Sequence, residues 1–223
     1  MTTDSFSTAP QRPTTTPPGL RARLKNETRA LHDQAERTGV MQRILRGRFV
    51  RTDYCELLRN LREIYAALEP ALERHADHPL VAPIAFRGLF RLAHIERDLH
   101  DLHGPDWSDE LEIKQAAAEY KQRLETLSAT QPALLSAHAY VRYLGDMSGG
   151  QILARLVAQH LCAGDTGTSF YCFGSRADAD LLIARFRAGL DAIPASPADA
   201  DAIVAEGQRA FRSHIDLFEQ LAA

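Results

Sequence analysis

Tyr140-Val141-Arg142-Tyr143-Leu144-Gly145-Asp146-Met147-Ser148-Gly149-Gly150-Gln151 lies within a stretch, 131–161, whose apolar periodicity otherwise predicts one long helix. Glycine in a helix interior costs about 1 kcal/mol relative to alanine. Three glycines here therefore weaken the helix and permit a bend. Gly145 and Gly149 are four apart and share a face, which Ser148 joins at a spacing of three. Two readings follow. Small residues allow close packing between helices. Alternatively, the bare backbone lies across a flat ligand, with Asp146 holding a water near the reacting atom. Asp146 favours the second reading, because its charge is costly to bury without partners. The Gly149-Gly150 pair also weakens the helix more than packing requires.

Outward from this stretch the pattern stays helical. Leu20, Leu24, Leu31 and Ala35 recur at helical spacing. Thr52 or Asp53 can cap a helix carrying Leu57, Leu61, Ile64, Leu68 and Leu72, which Pro70 is expected to kink. Further helices are expected over 83–103, 113–128, 177–192 and 197–221, the last opened by Ser196 as cap and Pro197 at the first helical position. Only 168–173 looks extended. The expectation is an all-α, single-domain bundle of about seven or eight helices over 20–223. A Thr/Pro-rich tail, 1–19, has too little apolar surface to offset its ordering entropy and is expected to be disordered.

A chain of 223 residues, 45% of them hydrophobic, can build one substantial core. A net charge of −3 argues against a nucleic-acid partner. Cys55, Cys162 and Cys172 are odd in number and show no CxxC spacing, which suits a reducing cytoplasm and structural thiols. No apolar run approaches the ~20 residues of a membrane span, and no signal-peptide core begins the chain. A cytoplasmic protein without a membrane anchor is expected, and nothing demands more than a monomer.

Nine histidines are available as metal ligands. His32 differs from most in having Glu36 at i+4, where a carboxylate can hold the proton of the ring nitrogen facing away from a metal. Lys25 and Arg29, one turn apart beside it, could neutralise a dianionic ligand or form an ordinary solvated face. Arg185 and Arg187 offer a similar anchor. The rival cluster of His94, Asp98, His100 and His103 reads as a solvated helix face, as do His75 and His78. No Glu-x-x-His occurs, which argues against a carboxylate-bridged di-iron centre.

Together these features resemble the haem (heme) oxygenase family. The stretch 140–151 is similar to the family's distal-helix signature. Leu24-Lys25 and His32-Asp33-Gln34-Ala35-Glu36 are similar to its proximal helix. Tyr65 falls at a familiar tyrosine position, and His138-Ala139-Tyr140 and 211–218 also match. The resemblance runs from about Leu24 to about Leu221. It implies haem, iron protoporphyrin IX, as both cofactor and substrate, with His32 as the iron ligand and Glu36 orienting it. Gly145 and Gly149 would contact the haem, and Gly150 would add flexibility. Asp146 would organise distal water with Tyr65 and Arg142, supplying protons. Lys25, Arg29, Tyr140 and Arg187 would bind the propionates. The implied reaction uses O2 and external electrons to yield biliverdin, carbon monoxide and ferrous iron. The implied electron donor is ferredoxin with ferredoxin reductase, or an NADPH-dependent flavoprotein. Met147 departs from the usual Leu, and Ile183 stands where animal relatives place a basic propionate partner. A haem carrier would share the axial histidine but need no distal proton supply. A thiaminase-type helical protein would need an activated cysteine, which this sequence does not show.

Overall fold

The computed structural model describes residues 18–161 and 166–223; most of the Thr/Pro-rich tail and Cys162 lie outside the described residues. The described residues form ten α-helices and no strand, as the all-α expectation required. They are α1 (Leu20–Glu36), α2 (Gly39–Leu45), α3 (Arg51–Arg74), α4 (Leu92–Leu102), α5 (Trp107–Glu110), α6 (Gln115–Thr130), α7 (Leu135–Ser148), α8 (Gly150–Leu161), α9 (Arg176–Ala192) and α10 (Pro197–Gln220). The count exceeds seven or eight because α2 and α5 are too short to show periodicity, and because the helix expected over 131–161 is divided at Gly149.

Helix α10 is the spine, packing against α1, α2, α6 and α7. Its start is set locally. Ser196 Oγ accepts from the Asp199 amide, the Asp199 carboxylate accepts from the Ser196 amide, and Pro197 occupies the first turn. Its apolar stripe, including Ile203, Ala210, Ile215 and Leu217, faces the core. Gly207 brings α1 close, since a Cβ there would stand 3.1 Å from the Leu24 side chain. Leu20, Leu24, Thr28 and Ala35 form the buried stripe of α1. Helix α3 continues through Pro70 and packs on α4, α6 and α7. Asp53 begins it by accepting from the Val50 amide at 2.9 Å.

Two stretches differ from the sequence reading for non-local reasons. The helix expected over 83–103 is confined to α4, because the buried Glu69 carboxylate on α3 accepts from the Arg91 and Leu92 amides and fixes the helix start there. The segment over 168–173 is a 3-10 turn at Ser169–Tyr171, pinned by Asp98, whose two oxygens accept from the Ser169 amide at 2.8 Å and the Phe170 amide at 2.7 Å. Asp98 is therefore a buried anchor and not part of a solvated face. His94 hydrogen-bonds Ser169 Oγ, and His103 pairs with Glu110. His75 contacts Ser128, and the His78 ring accepts from the Leu80 amide. No described helix is long and apolar enough to cross a membrane.

Candidate functional site

The division between α7 and α8 lies inside the glycine stretch, and its glycines do different work. A Cβ on Gly145 would meet nothing within 4 Å, and one on Gly149 would meet only the Gly145 carbonyl oxygen at 3.3 Å. Both are exposed, so close helix packing does not explain them. Gly150 is the opposite case. It is buried, and a Cβ there would stand 2.6 Å from the Tyr171 ring. Gly150, expected to add flexibility, packs closely against Tyr171 at the start of α8.

On the inner side of α7, Asp146 is 5% exposed. Arg142, one turn earlier, donates from Nη2 to Asp146 Oδ1 at 2.8 Å. Tyr65, from the middle of α3, donates its hydroxyl to Asp146 Oδ2. Arg142 Nε donates to the Tyr65 hydroxyl at 3.1 Å, closing a three-membered ring of bonds. The third arm of the guanidinium, Nη1, lies 2.8 Å from His214 Nε2 on α10. Burial pushes the Asp146 carboxyl up, against the opposing pull of the Arg142 charge and the Tyr65 bond. Both Asp146 oxygens accept from donors, which is the bonding pattern of an ionised carboxylate. Burial also pushes the Tyr65 hydroxyl well above its ordinary value, so it stays protonated and donates. Tyr143 and Tyr54 add two buried hydroxyls with no hydrogen-bond partner among the described residues. Both lie in the field of Asp146.

On α1, His32 is half-exposed, its ring edge-on to Phe211 of α10 at 5.8 Å. Among the described residues, His32, Asp33 and Glu36 form the group of metal-capable side chains whose ligand atoms lie within 4.8 Å of one another. Glu36 stands 3.8 Å from Nε2 and Asp33 3.7 Å from Nδ1, both beyond hydrogen-bond length. The expected Glu36 bond to His32 is thus a near approach without a hydrogen bond, and Asp33 shares the position. Lys25 and Arg29 are exposed and make no ion pair among the described residues. Tyr140 of α7 lies near the buried Thr28 of α1, whose hydroxyl donates to the Leu24 carbonyl at 2.6 Å. Arg187 is exposed on α9, one turn before Asp191, whose carboxylate holds Arg21 of α1 at 2.8 Å. Arg185 instead lies over the Phe86 ring at 4.0 Å. Burial raises the Cys55 thiol to about 11, which leaves it inert.

The same architecture occurs in proteins of one family. The heme oxygenase family model matches residues 19–220. The chain belongs to the heme oxygenase family. Heme oxygenase 1 of Nostoc sp. is 36% identical over 203 residues, 91% of this chain and 85% of that one. The structure of heme oxygenase-1 from Synechocystis sp. in complex with heme superposes with a TM-score of 0.85 at 34% identity, covering 91% of this chain and 92% of that chain. Heme oxygenase-2 from Synechocystis sp., in complex with heme and NO, gives a TM-score of 0.87 at 34% identity, covering 92% of this chain and 85% of that chain. The enzyme class follows from the family. Sequence reasoning did not single out His214, which lies against Arg142, or Tyr143 and Tyr54, which lie in the field of Asp146. His214 meets Arg142 of α7 from α10, far along the chain, and only the match over 211–218 pointed towards it.

Proposed function

We propose that this heme oxygenase cleaves haem with O2 to biliverdin, carbon monoxide and ferrous iron, with the ring held between the His32 face of α1 and the Gly145 face of α7. The residues present fit such a ligand. An imidazole is available on one side. The bare backbone at Gly145 leaves room for a flat ring on the other. Lys25, Arg29 and Arg187 are exposed cations without ion pairs among the described residues, suited to two propionates. Buried hydroxyls without partners suit a site that takes up polar guests such as water.

When bound, haem supplies the redox-active iron and the carbon that is oxidised. The protein's own residues bind, orient and deliver protons. His32 would ligate the iron through one ring nitrogen, while the carboxylate beside the other favours its proton there. Glycines 145 and 149 would let the α7 backbone approach the ring and keep bulk away from the oxygen side. Asp146 would hold a water beside the reacting oxygen and pass protons to it, its carboxylate aimed by Arg142 and Tyr65. Tyr140, near Thr28, would close one edge near the Lys25 and Arg29 anchors. Fixing the propionates fixes ring rotation, and with it which meso carbon faces Asp146.

The single observation carrying this reading is the buried Asp146–Arg142–Tyr65 cluster next in sequence to the open backbone of Gly145. A carrier needs no such proton device. Electrons would come from ferredoxin with its reductase or from an NADPH-dependent flavoprotein. The test is to add haemin, reductant and air to the purified protein and follow the visible spectrum. Loss of the haem band with appearance of biliverdin is expected. A stable haem spectrum would make the protein a carrier, and absence of binding would remove haem altogether.

A further inference from the structure

His214 is buried on α10, edge-on to Tyr120 of α6 at 5.0 Å and near Phe218 at 5.8 Å. Its Nδ1 lies 2.8 Å from the Ala210 carbonyl oxygen, a group that only accepts, so Nδ1 carries a proton. Its Nε2 lies 2.8 Å from Arg142 Nη1, a group that only donates, so Nε2 carries a lone pair. The two neighbours together leave one state, the neutral imidazole protonated at Nδ1.

We infer that His214, in this neutral form, is a positioning residue for the distal reaction: it fixes the third arm of Arg142 and thereby aims the Asp146 carboxylate. The inference rests on the proton role proposed for Asp146. Arg142 spends one arm each on Tyr65, Asp146 and His214. Without an acceptor at His214 the buried Nη1 is orphaned, and the guanidinium is free to turn away from Asp146. A protonated His214 would fail in the same way, since it has no lone pair and adds a second cation against the first.

The surroundings resist that protonation. Facing His214 are Arg142 and His138 of α7, Tyr120 of α6 and the Ala210 carbonyl of its own helix. The carboxylates nearby are already engaged. Asp146 is held by Arg142 and Tyr65, and Glu206 by Arg123 and His138. Burial, then the Arg142 charge, holds the His214 ring well below its ordinary range. His138 is likewise lowered by burial, and it bridges Tyr120 and Glu206 at 2.9 and 3.1 Å. Only the Ala210 carbonyl favours a charge on His214, and burial with the Arg142 charge outweighs it.

The first test uses the haem-free protein and nuclear magnetic resonance of the ring nitrogens. The expected result is the Nδ1–H tautomer with no titration near the ordinary histidine value of about 6.5. An Nε2–H tautomer, or titration near that value, overturns the inference. The second test compares His214→Gln, whose amide oxygen can reach the place of Nε2, with His214→Phe, which fills the space without an acceptor. His214→Phe is expected to slow biliverdin formation about tenfold, the weight of one charge-assisted hydrogen bond, and to keep haem affinity within about threefold of the parent. His214→Gln should restore most of the rate. If His214→Phe turns over like the parent, or if both variants fail equally, the inference falls. A parent that never opens haem removes the proposed reaction and this inference with it; an active parent with an indifferent His214→Phe removes the inference alone.

Discussion

On the α7 wall, Arg142, Asp146, Tyr65 and His214 are buried and bonded to one another before any ligand arrives. On the α1 wall, Lys25, Arg29 and His32 face solvent, and the nearest carboxylates to His32 stay beyond hydrogen-bond length. The difference follows from what each wall must do. Proton delivery depends on a fixed geometry, and fixed geometry requires buried, satisfied partners. Ligand capture depends on accessible groups whose best partners belong to the ligand. In the proposed reaction the α7 wall would be preorganised by the fold, and the α1 wall would be completed by the ligand.

The comparison breaks most readily at its two central residues. Asp146→Ala should leave Arg142 as an uncompensated buried charge, lowering stability by about 3 kcal/mol and biliverdin formation about a hundredfold. Haem binding should persist. His32→Ala should show the reverse pattern. Normal axial ligation and most turnover disappear, with partial recovery on added imidazole, while stability changes by less than about 0.5 kcal/mol because the side chain is half-exposed. Thermal melts and haem titrations of the two variants, run together, check the contrast. Equal loss of stability would mean that the walls are not different in kind.

Glu206 gives a control away from the ligand. Burial alone would raise its carboxyl, but bonds from His138 and Arg123 dominate and bring it down to about 2. A depressed carboxylate contributes stability above its ordinary value of about 4.5, and that contribution is lost as pH falls towards about 2. Glu206→Gln should therefore cost about 3 kcal/mol at neutral pH and flatten the acid side of the stability profile. Denaturant unfolding across pH measures both. An unchanged acid limb would remove Glu206 as its source.

The glycines sharpen the comparison with one substitution of opposite sign. Gly145→Ala adds a methyl into open space and should stabilise the helix by about 0.5 kcal/mol, while crowding the proposed haem face and weakening haem binding. Gly150→Ala presses on the Tyr171 ring and should destabilise by about 1–3 kcal/mol. Melting temperatures of the two variants suffice, and parallel shifts would contradict the assigned roles. The smallest effect is expected at the rim. Lys25→Ala and Arg29→Ala should each weaken haem binding only a few-fold, as exposed ion pairs do. Chromatography of the biliverdin isomers would show whether ring rotation loosens.

Much of this site was legible in the chain. Gly145, Asp146 and Gly149 announce themselves because breaking a helix has a local cost that a sequence displays directly. His32 with Glu36, and Lys25 with Arg29, are paired by the geometry of a single helix, and the roles expected of them came from the family resemblance. What remained hidden depends on neighbours distant in sequence. Tyr65, expected beside Asp146 only from the family resemblance, meets it across 81 residues, and His214, which was not singled out, meets Arg142 across 72. The difference between Gly145 and Gly150 is invisible in one dimension, because only Tyr171 distinguishes them. Asp98 looked like part of a wet helix face until the turn at Ser169–Tyr171 closed over it.

The sequence by itself determined the all-α class and the weak point in the glycine stretch. Those properties reside in local periodicity, helix propensity and spacings within a turn or two. Only the tertiary structure decided which polar groups are buried together, which glycine faces open space and which of nine histidines holds Arg142. Burial and hydrogen-bond direction are set by packing between helices, and no single helix carries that information.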